Sequence, residues 1–195
     1  LTPLAGFSVT DGNNTTTTDA NGEFVLPAPM DVELAPIVTG PKYSTLQLAR
    51  VKAAAADVEL GPITIPSSST FMSEMSIINA DQSKALVQVV IIPTGACTSV
   101  AGGTLTVTSP PGAAVAYFSA SGFPVGMQMV DTMQHRPSAV VYNIEPGATL
   151  EVTMSHPTCK LAPAGTAFDG AVYAGVKVSP TEPGDNNSAM VLLAE

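Results

Sequence analysis

The chain has 195 residues, of which 45% are hydrophobic and 12% charged, and its net charge at pH 7 is −9. This apolar, charge-poor composition excludes a disordered chain, which needs few apolar residues and many charges. The seven Lys and Arg residues are scattered and form no basic stripe, so neither a nucleic acid nor an anionic membrane surface is an expected partner. No apolar run is long enough to cross a bilayer, so we predict no transmembrane segment in this chain.

Short strands are predicted in the first third of the chain, where β-branched runs alternate with Gly and Pro clusters. They are expected over residues 7–10, 15–18, 23–26, 32–38, 46–51 and 57–65. The segment Asp19-Ala20-Asn21-Gly22 has a turn sequence, because Asp and Asn side chains bond the nearby backbone and Gly adopts positive φ. We therefore predict a hairpin over residues 15–26 and a first β-sandwich over residues 1–66.

A single helix is predicted in the linker at residues 67–83. Three serines at positions 67–69 can cap a helix, and Phe71, Met75 and Ile78 recur at helical spacing. The second part of the chain, residues 84–195, returns to strand patterns over 84–93, 104–108, 113–119, 126–133, 139–144, 149–155, 171–178 and 189–193. Strands at this spacing, separated by turn signals, are typical of a second sandwich.

The first part of the chain resembles a known family of β-sandwich domains. The opening Pro3-Leu4-Ala5-Gly6 and the run Thr18-Asp19-Ala20-Asn21-Gly22-Glu23-Phe24 are similar to the carboxypeptidase regulatory-like (transthyretin-like) domain. The resemblance covers about residues 1–65, lacks the family's usual Gly in the later turn at 27–30, and would put the family's first strand before residue 1. It implies a mostly non-catalytic seven-stranded sandwich of the kind appended to surface lipoproteins, transporters and peptidases.

Together these patterns predict an all-β fold of two tandem transthyretin-like or Ig-like sandwiches joined by one short helix. The second sandwich is interpreted as a divergent copy of the first, because faint echoes of the first part recur in it. The chain opens with neither Met nor a signal sequence, so we expect that a targeting segment has been removed upstream.

The two cysteines, Cys97 and Cys159, lie 62 positions apart, and neither belongs to a CxxC motif. In a chain of secreted character, one disulfide is the simplest interpretation, and two unrelated buried thiols are the alternative. Both cysteines follow predicted strands of the second sandwich, whose loops cluster at its ends. We expect reduction to destabilise the second sandwich and to leave the first, which has no cysteine, unaffected.

No motif for catalysis is present, neither G-x-S-x-G, H-E-x-x-H, G-x-G-x-x-G nor a P-loop. The chain has two histidines, and a nucleophilic pair of Cys159 with His156 is conceivable, although Cys159 is better explained as half of a cystine. We therefore predict that the protein is not an enzyme and uses no cofactor.

Two patterns raise the question of a metal. Met127, Met129, Met133 and His135 fall at alternate positions, and thioether and imidazole ligands suit Cu(I), but methionines that fill an irregular core are the favoured explanation. Oxygen ligands near Asp11 and in the turn at 19–23 could suit calcium, but they do not follow the EF-hand pattern, and ordinary turn chemistry is favoured.

The sequence thus favours a non-catalytic structural or protein-interaction module, secreted or anchored at a cell surface, and bacterial extracytoplasmic rather than eukaryotic. A carbohydrate-binding accessory module that takes a surface polysaccharide is the alternative. Sugar platforms usually present aromatic rings, and the chain has no Trp. We expect Tyr43, which follows Gly40-Pro41, and Phe123, between Gly122 and Pro124, to be the exposed rings.

Overall fold

A computed structural model describes residues 2–53, 57–60, 63–130, 137–168, 171–173 and 187–195 of the chain. Strands predominate within these residues and are accompanied by one short helix, so the predicted all-β class is confirmed at this level. The elements in chain order are β1 (Ser8–Thr10), β2 (Thr15–Thr17), β3 (Glu33–Leu34), β4 (Ile37–Thr39), β5 (Leu46–Gln47), β6 (Val51–Ala53), α1 (Ser68–Ile77), β7 (Ala85–Pro93), β8 (Thr104–Ser109), β9 (Ala114–Tyr117), β10 (Ala139–Ile144), β11 (Glu151–Ser155), β12 (Ala167–Phe168), β13 (Ala171–Tyr173) and β14 (Asn187–Ala194).

Within the described ranges, the main sheet has eight strands in the order β2-β1-β4-β5-β14-β7-β10-β9. Its last strand in sequence, β14, lies in the interior and runs parallel to both of its neighbours, with Ser188 paired to Gln47 on one side and to Val87 on the other. The other pairings in this sheet are antiparallel. Strands from both predicted sandwiches therefore belong to one continuous sheet, joined by β14.

One face of the main sheet is covered by the two-stranded sheet β8–β11. Alternate side chains of β7, among them Val87 and Val89, meet Leu105 of β8 and Val152 of β11 in the largest core. The alternation follows from the two-residue period of a strand, which sends successive side chains to opposite faces. This core holds the C-terminal half of the protein together.

The helix packs on the opposite face. Ser67 caps α1, because its hydroxyl accepts a hydrogen bond from the backbone N–H of Thr70, and Phe71 and Met75 are buried against Val140 of β10. The predicted helix is thus confirmed. Among the described residues, no helix is both long and apolar enough to cross a membrane.

The N-terminal strands build a smaller core on that same face. Phe7, Val9, Val38 and Leu46 are buried together, and Ala189 of β14 packs against them. A four-stranded sheet in the order β12-β13-β6-β3 lies beside this core, and Val51 of β6 packs with Leu193 of β14.

The predicted hairpin at 15–26 is wrong in its pairing, although its turn is present. Gly22, at φ 78°, donates a backbone hydrogen bond to the carbonyl oxygen of Asp19, as the turn sequence predicts. However, β2 pairs with β1, and residues 23–26 form no strand. The backbone N–H of Phe7 bonds the hydroxyl of Thr18 and the N–H of Thr18 bonds the carbonyl of Phe7, so the chain before the turn is held by β1 instead.

Several other predicted strands also differ from the structure. The predicted strand at 32–38 is divided between β3 and β4, that at 46–51 between β5 and β6, and residues 57–60 and 63–65 form no strand. Residues 126–130 contribute only a single bridge, between Gly126 and Tyr117. The rest of the predicted strand at 126–133, and most of that at 171–178, lie outside the described residues.

Candidate functional site

A disulfide joins Cys97 to Cys159, whose Cα atoms are 5.3 Å apart, and it confirms the predicted pairing. Both cysteines are buried in the largest core. The bond ties the segment that follows β7 to the segment that follows β11. Disulfides persist in oxidising compartments, so the bond is compatible with an extracytoplasmic location.

His156 holds the same segment from outside. Its Nδ1 atom accepts hydrogen bonds from the backbone N–H groups of Cys159 at 3.0 Å and Thr158 at 3.2 Å, and its Nε2 atom lies 3.1 Å from the carbonyl oxygen of Ala101. An imidazole that accepts at Nδ1 donates from Nε2, so both ring nitrogens are used by the backbone. Because the Cys159 sulfur is in a disulfide, the conceivable Cys159–His156 pair has no thiol to activate.

Residues 119–130, here called the apolar loop, expose three large apolar side chains. The exposed fractions are 46% for Phe123, 60% for Val125 and 93% for Met127. The segment contains no charged residue. Exposed apolar groups gathered in one loop are a feature of interaction sites, whereas single ones are common on any surface.

The backbone of the apolar loop is fixed by hydrogen bonds. The N–H of Ser119 donates to the carbonyl oxygen of Phe123 at 2.8 Å, and the N–H of Gly126 donates to that of Tyr117 at 2.8 Å. Further along, the N–H of Met129 donates to the carbonyl oxygen of Gly103 at 2.9 Å. These bonds anchor both ends of the loop to the C-terminal half, so its exposed side chains are presented on an ordered backbone.

The two rings predicted to bind a ligand lie in different parts of the fold. Tyr43 is half-buried and makes an edge-to-face contact with Phe7, with ring centroids 5.2 Å apart, in the N-terminal core. Phe123 lies in the apolar loop of the C-terminal half, with nearly half of its surface exposed. The ring of Phe123 is therefore the more accessible of the two.

The methionine and histidine pattern is divided by the structure. Met127 is 93% exposed, whereas Met129 is 0% exposed and part of the largest core. Met133 and His135 lie outside the described residues. Within the described ranges, no group of three or more His, Cys, Asp or Glu residues is placed to hold a metal ion.

The acidic turn residues bond their own backbone. Oδ1 of Asp11 accepts hydrogen bonds from the N–H of Asn14 at 2.6 Å and of Asn13 at 2.8 Å, and these bonds lower the pKa of Asp11. Oδ1 of Asp19 accepts from the N–H of Asn21 at 2.8 Å. Both carboxylates thus accept hydrogen bonds from the backbone of their own turns, as expected from ordinary turn chemistry, the explanation favoured over calcium binding.

A second feature is an apolar crevice of about 70 Å³ at the seam between the N-terminal and C-terminal strands of the main sheet. Its floor comes from β14 and β7, where Ala189 pairs with Gln88 and Val191 pairs with Val90. The described residues that line it are apolar apart from Thr64 and Gln88: Leu46, Leu48, Ala49, Val51, Leu60, Ile63, Thr64, Gln88, Val90, Pro137, Ala189 and Val191.

Neither the crevice nor the full extent of the apolar loop was predicted from the sequence, although each left a signal there. Phe123, Val125 and Met127 alternate within a segment that has Gly and Pro but no charge. Gln88 is the one amide in the otherwise apolar run 85–93, and it is nonetheless buried. The seam itself has no local signal, because it depends on which distant strands pair with β14.

Comparison with known proteins adds no relative: the chain matches no family model, no curated protein and no solved structure.

Proposed function

We propose that this protein is a non-catalytic module of an extracytoplasmic or cell-surface protein, and that it binds a protein partner through the apolar loop. The observation that carries the proposal is the exposure of Phe123, Val125 and Met127 on a hydrogen-bonded, uncharged loop. The disulfide supports the compartment, because such bonds persist outside the reducing cytosol.

We further propose that each half of the chain is related to the transthyretin-like sandwich of the carboxypeptidase regulatory-like domain, with the two halves sharing one sheet through β14. The support for this relationship is the turn from Asp19 to Gly22, which combines the family-like sequence with the side-chain and backbone bonds that such a turn requires. Modules of this kind are mostly non-catalytic, which agrees with the use of His156 and Cys159 in holding the backbone.

The energetics suit an anchor within a larger contact. Fully burying one exposed Phe, Val or Met side chain contributes about 1.5–3 kcal/mol, so the three contribute at most roughly 5–9 kcal/mol, because Phe123 and Val125 are already partly buried. Association costs about 4–15 kcal/mol in lost freedom, and an ordered loop keeps that cost toward the low end. The apolar loop alone therefore supports weak binding, and neighbouring surface has to contribute for a stable complex.

The test begins by finding what the loop touches. A photo-crosslinking amino acid in place of the exposed Gln128, in the full chain in its natural host, should capture one protein reproducibly, and the purified pair should then bind directly. The triple variant F123S/V125S/M127S should weaken that binding at least tenfold while its circular dichroism stays unchanged. Unaltered binding by the triple variant would contradict the proposal.

A matched control uses other exposed apolar residues. The variant V25S/M30S/I37S changes side chains that are 83%, 60% and 38% exposed but lie outside the apolar loop, and it should bind the partner like wild type. The carbohydrate alternative has its own outcome, because Phe123 is an exposed ring that a sugar could stack on. Direct binding to a purified polysaccharide that the single variant Phe123→Ser abolishes would replace the protein partner by a glycan.

A further inference from the structure

A proline-containing segment in the N-terminal half is a further exposed apolar feature, separate from the apolar loop. Residues 27–33, here called the proline strap, are exposed without interruption, and Met30 and Val32 are 60% and 45% exposed. We propose that the proline strap binds a protein whose groove is lined by aromatic side chains and bordered by basic ones. This inference goes beyond the proposed function, because no residue of the strap belongs to the apolar loop.

The start of the strap favours the extended conformation of a polyproline helix. Proline fixes its own φ at about −65° and disfavours helical backbone in the residue before it. Pro27 and Pro29 alternate with Leu26 and Ala28, so four consecutive residues are restricted in this way. The stretch 24–29 accordingly has neither a turn nor a bend, and within the described part of the chain it forms no backbone–backbone hydrogen bond. A polyproline helix likewise has no internal hydrogen bonds, so its backbone groups are open to a partner.

Both ends of the strap are fastened to the body of the protein. On the N-terminal side, Leu26 packs against the N-terminal core, and the side-chain amide of Asn14 donates a hydrogen bond to the carbonyl oxygen of Pro27 at 3.2 Å. On the C-terminal side, the N–H of Asp31 donates to the carbonyl oxygen of Ala53 at 3.4 Å, two residues before β3 begins to pair with β6. Because the ends are held, a partner does not have to order the strap, and this lowers the entropic cost of binding.

The chemistry of the strap favours an aromatic groove. A polyproline helix docks its proline rings on aromatic side chains, and its preformed backbone loses little conformational freedom on binding. In the strap, Pro27 and Pro29 offer two such rings, and Met30 adds a polarizable thioether that makes favourable contacts with aromatic rings. A groove lined by aromatic side chains therefore matches the strap better than an aliphatic surface does.

The charge around the strap favours basic residues beside that groove. The first 41 residues of the chain contain five Asp or Glu residues and neither Lys nor Arg. Lys52 and Arg50 form ion pairs with the two carboxylates inside the strap. Glu23, which precedes the strap, forms no ion pair within the described part of the chain. A groove with a basic residue at the Glu23 end therefore complements this surface, and salt weakens such an attraction.

The test first identifies the partner through the strap itself. A photo-crosslinking amino acid in place of the exposed Ala28, in the full chain in its natural host, should capture one protein reproducibly, and the purified pair should bind directly in calorimetric titrations. NMR spectra of that pair should show nuclear Overhauser contacts between ring protons of Pro27 or Pro29 and aromatic protons of the partner. Failure to capture a protein that also binds in purified form would overturn the proposal, and contacts with aliphatic protons alone would overturn the aromatic groove.

The salt dependence of the same titration tests the basic border of the groove. Raising the salt concentration from about 0.1 M to about 1 M shortens the screening length from roughly 10 Å to roughly 3 Å, so binding should weaken at least threefold. An affinity that does not change with salt would overturn the assignment of basic residues beside the groove.

Paired variants separate the proline rings from the rest of the surface. P27A/P29A removes both rings and should weaken binding at least tenfold, whereas P41A/P146A, which changes two exposed prolines in other turns, should leave it unchanged. Ala28→Pro should keep or increase the affinity, because the N–H of Ala28 makes no backbone–backbone hydrogen bond with a described residue and a third proline stiffens the extended conformation. Unchanged binding by P27A/P29A, or a tenfold loss in Ala28→Pro that keeps the wild-type circular dichroism, would overturn the proposal.

The experiment also distinguishes the proline strap from the apolar loop. The apolar-loop variant F123S/V125S/M127S should bind the partner of the strap like wild type, and P27A/P29A should bind the partner of the apolar loop like wild type. Loss of binding to the partner of the strap in F123S/V125S/M127S would overturn a separate site at the strap.

Discussion

Removal of the disulfide gives a quantitative test of how the fold is held together. In the variant C97A/C159A, the cross-link that closes a segment of 62 positions is lost. In the chain-entropy treatment, a closure of this length restricts the unfolded chain by roughly 14 cal/mol/K, which is about 4 kcal/mol at 25 °C. We therefore expect the free energy of unfolding to fall by about 4 kcal/mol, within the ~2–5 kcal/mol typical of native disulfides.

The loss should extend to the N-terminal strands. From the sequence alone, residues 1–66 were expected to be indifferent to reduction, because they contain no cysteine. In the structure, β14 pairs with β5 from that half and with β7 from the other, so the two halves share a strand. We expect one cooperative transition, in which the backbone amides of Val38 in β4 and Val140 in β10 lose comparable protection from hydrogen exchange.

The assay combines urea unfolding, followed by far-ultraviolet circular dichroism, with hydrogen exchange resolved by mass spectrometry. Wild-type protein treated with a phosphine reductant is the matched control and should reproduce the behaviour of C97A/C159A. A change in unfolding free energy below about 1 kcal/mol would refute the entropic reasoning. Protection that falls in β10 but not in β4 would refute the coupling through β14.

Three further predictions concern individual side chains. Met129→Ala should lower the free energy of unfolding by about 2–5 kcal/mol, because the Met129 side chain is fully buried. Met127→Ala, at a residue that is 93% exposed, should change it by no more than about 0.5 kcal/mol, and equal effects in thermal or urea unfolding would contradict this difference in burial. Tyr117→Phe should lower the free energy of unfolding by about 1–3 kcal/mol, because the Tyr117 hydroxyl accepts from the N–H of Leu105 in β8 at 2.7 Å and donates to its carbonyl oxygen at 3.2 Å. An unchanged unfolding free energy in the same assay would argue against these bonds. The pKa of Asp11 is lowered chiefly by the N–H of Asn14, so the ionised carboxylate should stabilise its turn above about pH 4. This contribution should be lost as the pH falls through the folded-state pKa. An NMR titration of the Asp11 carboxyl should have its midpoint below about 3.9, and a higher midpoint would contradict the geometry.

The features that the sequence predicted are those determined by neighbouring residues. The turn at Asp19 to Gly22 and the cap of α1 at Ser67 depend on side chains that bond the backbone within a few positions. The long strands β7 and β10 were recognisable because buried β-branched runs have few other solutions. The Cys97–Cys159 bond followed from cysteine arithmetic, since the chain offers one possible pairing.

Pairing between distant strands was not predictable in the same way. The sequence of residues 15–26 suited a local hairpin, but β2 pairs with β1. Thr18, just after β2, extends this pairing by bonding Phe7, just before β1, through both its backbone and its hydroxyl. Nothing near β14 indicates that it will separate β5 from β7. The crevice depends on that arrangement, so the sequence did not predict that Ala189 pairs with Gln88 on its floor.

The position of β14 also has a consequence for the order in which the protein can fold. Every other strand of the main sheet precedes β14 in the chain, yet β14 is the strand that fills the gap between β5 and β7. Until it arrives, those two strands present unpaired N–H and C=O groups along apolar edges, which is the condition under which nascent chains associate with one another. The sheet can therefore be completed only after β14 has been synthesised, and a chain that stalls before β14 should depend on chaperones that shield exposed strand edges.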